Sequence, residues 1–223
     1  MAAQRSRTNA AEDSGTDSFA AALARGRDGM RKGERTRTGL MIAAARFLAA
    51  QPLDRLTVAA ICKAAGVAHG TFYLYFPDRH ALVGDLLGEF VDHLQARMHA
   101  ASRLPGDTVR NTTAAYMRIF EQEPGLMKCL VVGGDAFPEA RAAFQRLNRD
   151  WAETVVRAAR RRDAGEARPD AELLRRAYAL GGMVDQYLNA LHIAADPRIA
   201  ALSEDRAAVL ETLTDIWKKG MSP

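Results

Sequence analysis

The fold is decided by residues 56–76, which read LTVAAICKAAGVAHGTFYLYF. Thr57 is suited to cap the start of a short helix, because its side-chain oxygen can accept a hydrogen bond from the first turn. Gly66 is suited to end that helix, since glycine readily adopts the left-handed conformation that follows many helix C-termini. A second short helix follows and ends before Pro77. Two short helices joined by a tight glycine-containing turn predict a helix-turn-helix.

The side chains of this segment suit a structure that binds DNA. The turn contains small residues, Ala64, Ala65 and Gly66, which let two backbones approach closely. The apolar residues can pack the helices together, and they are Val58, Ile61, Val67 and Phe72. The outer side of the second helix carries small or hydrogen-bonding residues, as a surface that reads the major groove requires, and these are Ala68, His69, Gly70, Thr71 and Tyr73. The alternative interpretation is an ordinary helical corner that binds nothing.

The rest of the chain also follows helical periodicity. Apolar residues recur at intervals of three and four, and no stretch alternates for long enough to indicate a strand. The pattern predicts an all-α protein of about nine helices. We expect a three-helix helix-turn-helix domain at 31–80 and a helical ligand-binding and dimerisation domain at 81–223, with a long helix at about 78–102 connecting them. Residues 1–30 contain few large apolar side chains and are expected to form a disordered polar and basic arm.

Charge is distributed unevenly along the chain. The formal net charge of the 223 residues is +4. Residues 1–80 contain 12 Lys and Arg against 7 Asp and Glu, whereas residues 81–223 contain 19 against 20. The basic excess therefore lies in the segment with the helix-turn-helix, which favours an anionic partner such as double-stranded DNA.

Composition and motifs argue against several other classes. No apolar run approaches the roughly 20 residues that a membrane helix needs, and the N-terminus lacks the apolar core of a secretory signal. The cysteines, Cys62 and Cys129, show no metal-ligand spacing, so a reducing cytoplasm is the expected location and no membrane partner is expected. Glu89 and His93 have no further ligand motif beside them. We therefore predict no metal, no cofactor and no catalytic residue.

The helix-turn-helix segment resembles one known family in detail. Residues from about 35 to 83 are similar to the DNA-binding domain of the TetR family of bacterial transcription regulators. The matching residues are Leu56-Thr57-Val58, Ile61, Ala64-Ala65-Gly66-Val67, Gly70-Thr71-Phe72-Tyr73 and Tyr75-Phe76. The resemblance implies a dimeric repressor that leaves a palindromic operator when a small-molecule effector binds its C-terminal domain.

The resemblance also implies roles for individual residues. Those that would face the DNA groove are His69, Gly70, Thr71 and Tyr73. Those that would contact the DNA backbone are Arg35, Arg37, Thr57, Tyr75 and Arg79. The chain departs from the common family pattern at Ala68, where serine is frequent, and at His69, where lysine or arginine is frequent. Both departures remove a strong hydrogen-bond donor from the surface that reads DNA.

One C-terminal helix has a polar stripe that suggests the wall of a ligand pocket. Its members follow one another at helical spacing, and they are Tyr178, Gly182, Asp185, Asn189 and His192. In a pocket, a few polar groups orient a mainly apolar ligand. The candidate apolar lining consists of Met117, Phe120, Met127, Phe144, Trp151, Met183 and Tyr187. The alternatives are an exposed or subunit-facing helix edge for the stripe and ordinary core packing for the apolar residues.

The last two long helices carry residues suited to close pairing between two subunits, as the family resemblance implies. The candidate dimerisation residues are Gly181, Gly182, Leu188, Leu213, Ile216 and Trp217. A symmetric dimer would place its two reading helices about one DNA turn apart on a palindrome. Two further interpretations remain: a regulator or activator that needs no ligand, and a helical enzyme or carrier with an incidental helix-turn-helix corner.

Overall fold

A computed structural model describes residues 18–162 and 168–222 and confirms the all-α fold class. Within these residues the chain forms eleven α-helices and no strand. We number them in chain order: α1 Phe19–Arg25, α2 Lys32–Ala50, α3 Val58–Ala65, α4 His69–Phe72, α5 Arg79–Ser102, α6 Thr108–Gln122, α7 Pro124–Val132, α8 Pro138–Arg162, α9 Asp170–His192, α10 Pro197–Leu202 and α11 Arg206–Met221.

The contacts divide the chain into two compact units, with the boundary between Leu86 and Leu87. This boundary lies inside α5. The sequence pattern predicted it slightly earlier, between residues 80 and 81. The first turns of α5, which include the completely buried Leu82 and Val83, belong to the N-terminal unit. Asp85 also forms an ion pair with Arg37 of α2 in that unit.

The described part of the N-terminal unit begins with a helix that the sequence pattern did not predict. Residues 1–30 were expected to be a disordered arm, and this prediction is wrong for the part from Ser18 onward. Ser18 caps α1 by accepting a hydrogen bond from the Ala21 N–H at 3.3 Å, and Phe19 is only 2% exposed. Burial of this single aromatic side chain offsets the entropy of ordering a short helix that is otherwise rich in alanine. The rest of the predicted arm, residues 1–17, lies outside the described residues.

The helix-turn-helix forms where its caps predict it. The hydroxyl oxygen of Thr57 accepts a hydrogen bond from the Ala60 N–H at 3.1 Å, at the start of α3. Gly66 ends α3 in the left-handed conformation, with a φ of 68°. At the start of α5, the carboxylate of Asp78 accepts a hydrogen bond from the Ala81 N–H at 2.9 Å. Completely buried side chains join α2, α3 and α4 into one core, and they include Leu40, Ala44, Ile61 and Phe72.

The C-terminal unit packs its helices around α9. This helix contacts α6, α7, α8 and α11, and its Leu188 is completely buried. The end of the chain forms two helices, α10 and α11, separated by residues 203–205. Asp205 starts the last helix by accepting hydrogen bonds from the N–H groups of Ala207 and Ala208. This break and the unexpected α1 explain why the described residues form eleven helices rather than about nine.

Candidate DNA-binding surface and ligand cavity

Helix α4 presents the predicted reading surface to solvent. His69 and Gly70 are exposed, Thr71 is half-buried, and Tyr73 is 52% exposed. The Tyr73 ring packs edge-on against the buried Phe72 ring, with the ring centres 5.4 Å apart. Its centre also lies 5.5 Å from the centre of the His69 imidazole. Leu74, next in the chain, is 79% exposed and was not among the predicted residues. The arrangement offers two hydroxyls and an imidazole to a groove.

The N-terminus of α3 is a candidate phosphate site. The backbone N–H groups at the start of a helix favour an anion, and Thr57 is exposed there. Arg79 donates a hydrogen bond from Nη1 to the carbonyl oxygen of Leu56 at 3.1 Å, which holds its positive charge beside this helix start. Both features are those expected of a contact with the DNA backbone.

Tyr75 lies against the first turn of α2. A Cβ placed on Gly33 would stand 3.8 Å from the hydroxyl oxygen of Tyr75, an ordinary van der Waals distance, so the phenol lies directly beside this turn. The Tyr75 side chain is half-buried, and its hydroxyl lies close to the N-terminal end of a helix. This position is compatible with a shared phosphate contact.

The two predicted arginines of α2 differ in their surroundings. Arg35 is exposed. Arg37 forms an ion pair with Asp85, and its guanidinium carbon lies 5.0 Å from the centre of the Phe76 ring. Arg37 therefore already links α2 to α5 within the N-terminal unit, whereas Arg35 is available to a phosphate.

A cavity in the C-terminal unit is lined by α5, α6, α8, α9 and α11. It contains a buried polar pair: the hydroxyl of Tyr116 donates a 2.6 Å hydrogen bond to Oδ1 of Asp185. Burial raises the pKa of Asp185 to about 6, although the hydrogen bond from Tyr116 opposes this rise. Burial also raises the pKa of Tyr116 well above its usual value. Tyr116 was missed as a site residue because a tyrosine on the apolar face of α6 has the pattern of a core residue.

The cavity and a neighbouring cleft bring together only part of the predicted ligand-binding set. Trp151 and Asp185 line both the cavity and the cleft, whereas Phe144 and Tyr178 line the cleft alone. The other predicted residues lie outside both, and they are Met117, Phe120, Met127, Met183, Tyr187, Asn189 and His192. Met117, Phe120 and Met127 are at most 1% exposed and fill the core.

Two further predicted ligand-binding residues, Tyr187 of the apolar set and His192 of the polar stripe, have other surroundings. The hydroxyls of Tyr187 and Ser203 lie 2.7 Å apart in a hydrogen bond. His192 packs near Phe120, with ring centres 6.3 Å apart, and burial lowers its pKa. Neither residue faces the cavity.

Three of the predicted dimerisation residues are buried within their own chain. Leu188, Leu213 and Trp217 are at most 8% exposed, so they cannot provide the surface of a subunit contact, and that prediction is corrected. Trp217 and Gly181 line the cavity instead. Ile216 is 40% exposed, and Gly182 is also exposed.

Within residues 18–162 and 168–222, no group of three or more His, Cys, Asp or Glu side chains is arranged to hold a metal ion. None of the helices in this described part of the chain is both long enough and apolar enough to cross a membrane.

An all-helical chain with this helix-turn-helix has the architecture of a bacterial DNA-binding regulator, and comparisons with known proteins agree. Residues 40–86 match the family model of bacterial regulatory proteins, tetR family. The transcriptional regulator EthR of Mycobacterium tuberculosis is 28% identical over 207 residues, which cover 88% of this chain and 92% of that protein. EthR of Mycolicibacterium smegmatis is 24% identical over 199 residues, covering 86% and 89%.

Solved structures share the fold. A TetR-family regulator from Syntrophomonas wolfei has a TM-score of 0.66 at 13% identity, covering 85% of this chain and 96% of that one. The regulator FadR of Bacillus subtilis, solved with stearoyl-CoA, has a TM-score of 0.63 at 17% identity, covering 82% and 97%. Residues 40–86 therefore form a DNA-binding domain of the tetR family, and the comparisons together support a transcriptional regulator of that family.

Proposed function

We propose that this regulator is a dimeric repressor that binds a palindromic operator and is released by a small-molecule effector. The observation that carries the proposal is the exposed surface formed by α4 and the following Tyr73, from which Thr71 and Tyr73 can reach base edges. Thr57, Arg79, Tyr75 and Arg35 would contact the phosphates that flank it. No cofactor is needed, and the protein would act in the cytoplasm, where the DNA is.

The effector would enter the cavity around Trp151 and Asp185. Helix α5 is the element that can transmit its binding, because Met98 of this helix lines the cavity while Arg79 and Asp85 are bound to residues of the N-terminal unit. A coupling of about 1–3 kcal/mol between effector and operator is typical of such systems. An effector that biases the position of α5 would change the spacing of the two reading helices.

The decisive experiment selects bound sequences from a random DNA pool and then titrates the selected site by fluorescence anisotropy. We expect an inverted repeat with half-sites about one helical turn apart. Replacing Thr71 or Tyr73 by alanine should weaken binding roughly tenfold or more, since a base contact is worth about 1–3 kcal/mol. Arg103→Ala, at an exposed position of the C-terminal unit, is the control and should leave affinity unchanged. Wild-type affinity in both the Thr71 and the Tyr73 variant would contradict the proposal.

A further inference from the structure

Among the residues that the structure describes, Tyr116 is the hydrogen-bond partner of the buried Asp185 carboxylate, and no cationic side chain lines its cavity. Asp185 is 8% exposed, and its Oδ1 accepts the hydrogen bond from Tyr116, which is also 8% exposed. A carboxylate removed from water loses its hydration, and a single neutral hydrogen bond replaces only part of it. Ligand groups that donate hydrogen bonds or carry positive charge are therefore favoured at this position.

The surroundings of Asp185 favour a positively charged ligand over a negatively charged one. Residues from five helices line the cavity, all of them within the described part of the chain, and Asp185 is the one charged residue among them. Tyr116 is the other titratable group that faces it. Two aromatic side chains, Trp151 and Trp217, contribute to the walls, and the faces of such rings attract cations. An anionic ligand would meet a buried negative charge without compensation.

The site consists of two adjoining spaces that share Asp185, and the walls of both are mainly apolar. The smaller space, the cavity that contains the Tyr116–Asp185 pair, has a volume of about 50 Å³, which leaves room for a small head group beside the carboxylate. The neighbouring cleft, of about 240 Å³, shares Trp151, Gly181 and Asp185 with it and is bounded by Phe144 and the exposed Tyr178. A ligand that enters beside Tyr178 can thus reach Asp185 with its head and leave its hydrocarbon part in the cleft.

We propose that this site binds a small hydrophobic primary amine, whose ammonium group donates a hydrogen bond to the carboxylate of Asp185 and whose hydrocarbon part packs against Phe144 and Trp151. The inference names the chemical class of the effector, and for its regulatory meaning it rests on the function proposed above. The ammonium group supplies the charge that the cavity lacks, and the apolar walls exclude water from the resulting ion pair.

The two tryptophans of the chain make the test direct. Both Trp151 and Trp217 line the cavity, so intrinsic fluorescence reports ligand entry without a label. The full-length protein, without DNA, is titrated with n-butylamine and 2-phenylethylamine, and in parallel with the matched alcohols 1-butanol and 2-phenylethanol. We expect at least one amine to bind tenfold or more tightly than its alcohol. Equal binding of amine and alcohol, or no amine with a Kd below about 10 mM, overturns the proposal.

Two variants identify the carboxylate. Asp185→Asn keeps the shape and an oxygen to accept the Tyr116 hydrogen bond, but it removes the charge and should weaken amine binding at least tenfold while the alcohol is unaffected. Asp215→Asn, at an exposed position of α11, is the matched control and should bind like wild type. Equal amine affinity in Asp185→Asn and wild type overturns the assignment.

The pH dependence supplies a second readout. Because the pKa of Asp185 is about 6, roughly nine in ten of its carboxylates are protonated at about pH 5, and amine affinity should fall about tenfold from its value at pH 7.5. A pH-independent affinity overturns the proposal. None of these measurements uses DNA, so amine binding can fail while the operator titration succeeds. If the amine binds but no operator is found, the protein binds amines and its proposed repressor function is wrong.

Discussion

The guanidinium of Arg79 donates a 3.1 Å hydrogen bond to the carbonyl oxygen of Leu56, the residue that precedes the Thr57 cap of α3. The contact joins the first turn of α5 to the start of α3 and fixes a positive charge where the helix dipole already favours an anion. The charge of Arg79 and the dipole of α3 therefore attract a phosphate at the same position.

Arg79→Ala tests this phosphate site. Loss of one phosphate contact should weaken specific and non-specific DNA binding alike and should reduce the salt dependence of the affinity by about one unit in the log–log slope. The measurement is an anisotropy titration at several salt concentrations, with Arg103→Ala as the charge-matched control. A wild-type slope for Arg79→Ala would remove this residue from the set of phosphate contacts.

Substitution of Gly70 tests DNA binding independently of folding. A Cβ at Gly70 meets no atom of the protein within 4 Å, so Gly70→Ala should fold normally and gain up to about 1 kcal/mol from helix propensity. If α4 enters the groove, the added methyl group meets DNA and weakens operator binding. Gly88→Ala in α5 is the matched control, because its Cβ also meets nothing within 4 Å. A stabilised Gly70→Ala protein with full affinity would show that DNA does not approach this position.

Two neighbouring positions of α11 should respond in opposite ways. Leu213 is 3% exposed, so Leu213→Ala should lower the free energy of unfolding by about 2–5 kcal/mol in a urea titration. Ile216 is 40% exposed, and Ile216→Glu should change the stability of the fold by no more than about 0.5 kcal/mol while it weakens the proposed dimer. Light scattering checks the second expectation, and an intact Ile216→Glu dimer would place the subunit contact elsewhere.

Asp185 should make stability depend on pH in an unusual direction for a carboxylate. Its pKa rises from 3.8 in the unfolded chain to about 6 on burial, so the folded state binds the proton more tightly. Its contribution therefore favours folding below about pH 4 and is lost as the pH rises through 6, by about 3 kcal/mol in total. Asp185→Asn should be more stable than wild type at pH 7.5, as measured by thermal unfolding. A less stable variant would mean that the charged carboxylate is well compensated in the fold.

The local parts of the fold were predictable because their signals are contained in a few adjacent residues. Thr57, Gly66 and Asp78 each act on a backbone group within three positions along the chain, so their capping roles follow from residue type and order alone. The helix around Phe19 was missed for the opposite reason. Its stability comes from one aromatic side chain packed against the rest of the N-terminal unit, and neither the partner nor the burial is encoded locally.

The C-terminal unit shows the same division. The polar stripe of α9 pointed to Asp185, but its partner Tyr116 lies 69 positions away along the chain. The sequence pattern of an apolar helix face does not indicate which element packs against it. For this reason Leu188, Leu213 and Trp217 were assigned to a subunit contact, although they are buried within their own chain.

The sequence by itself determined that this protein is all-helical and that residues 56–76 form a helix-turn-helix, because helix periodicity and capping act over a few residues. Only the tertiary structure decided that Arg37 is held by Asp85, that Tyr116 meets Asp185, and that both tryptophans surround one cavity. Such pairs form when distant helices pack, and the free energy of that packing depends on three-dimensional shape rather than on spacing along the chain.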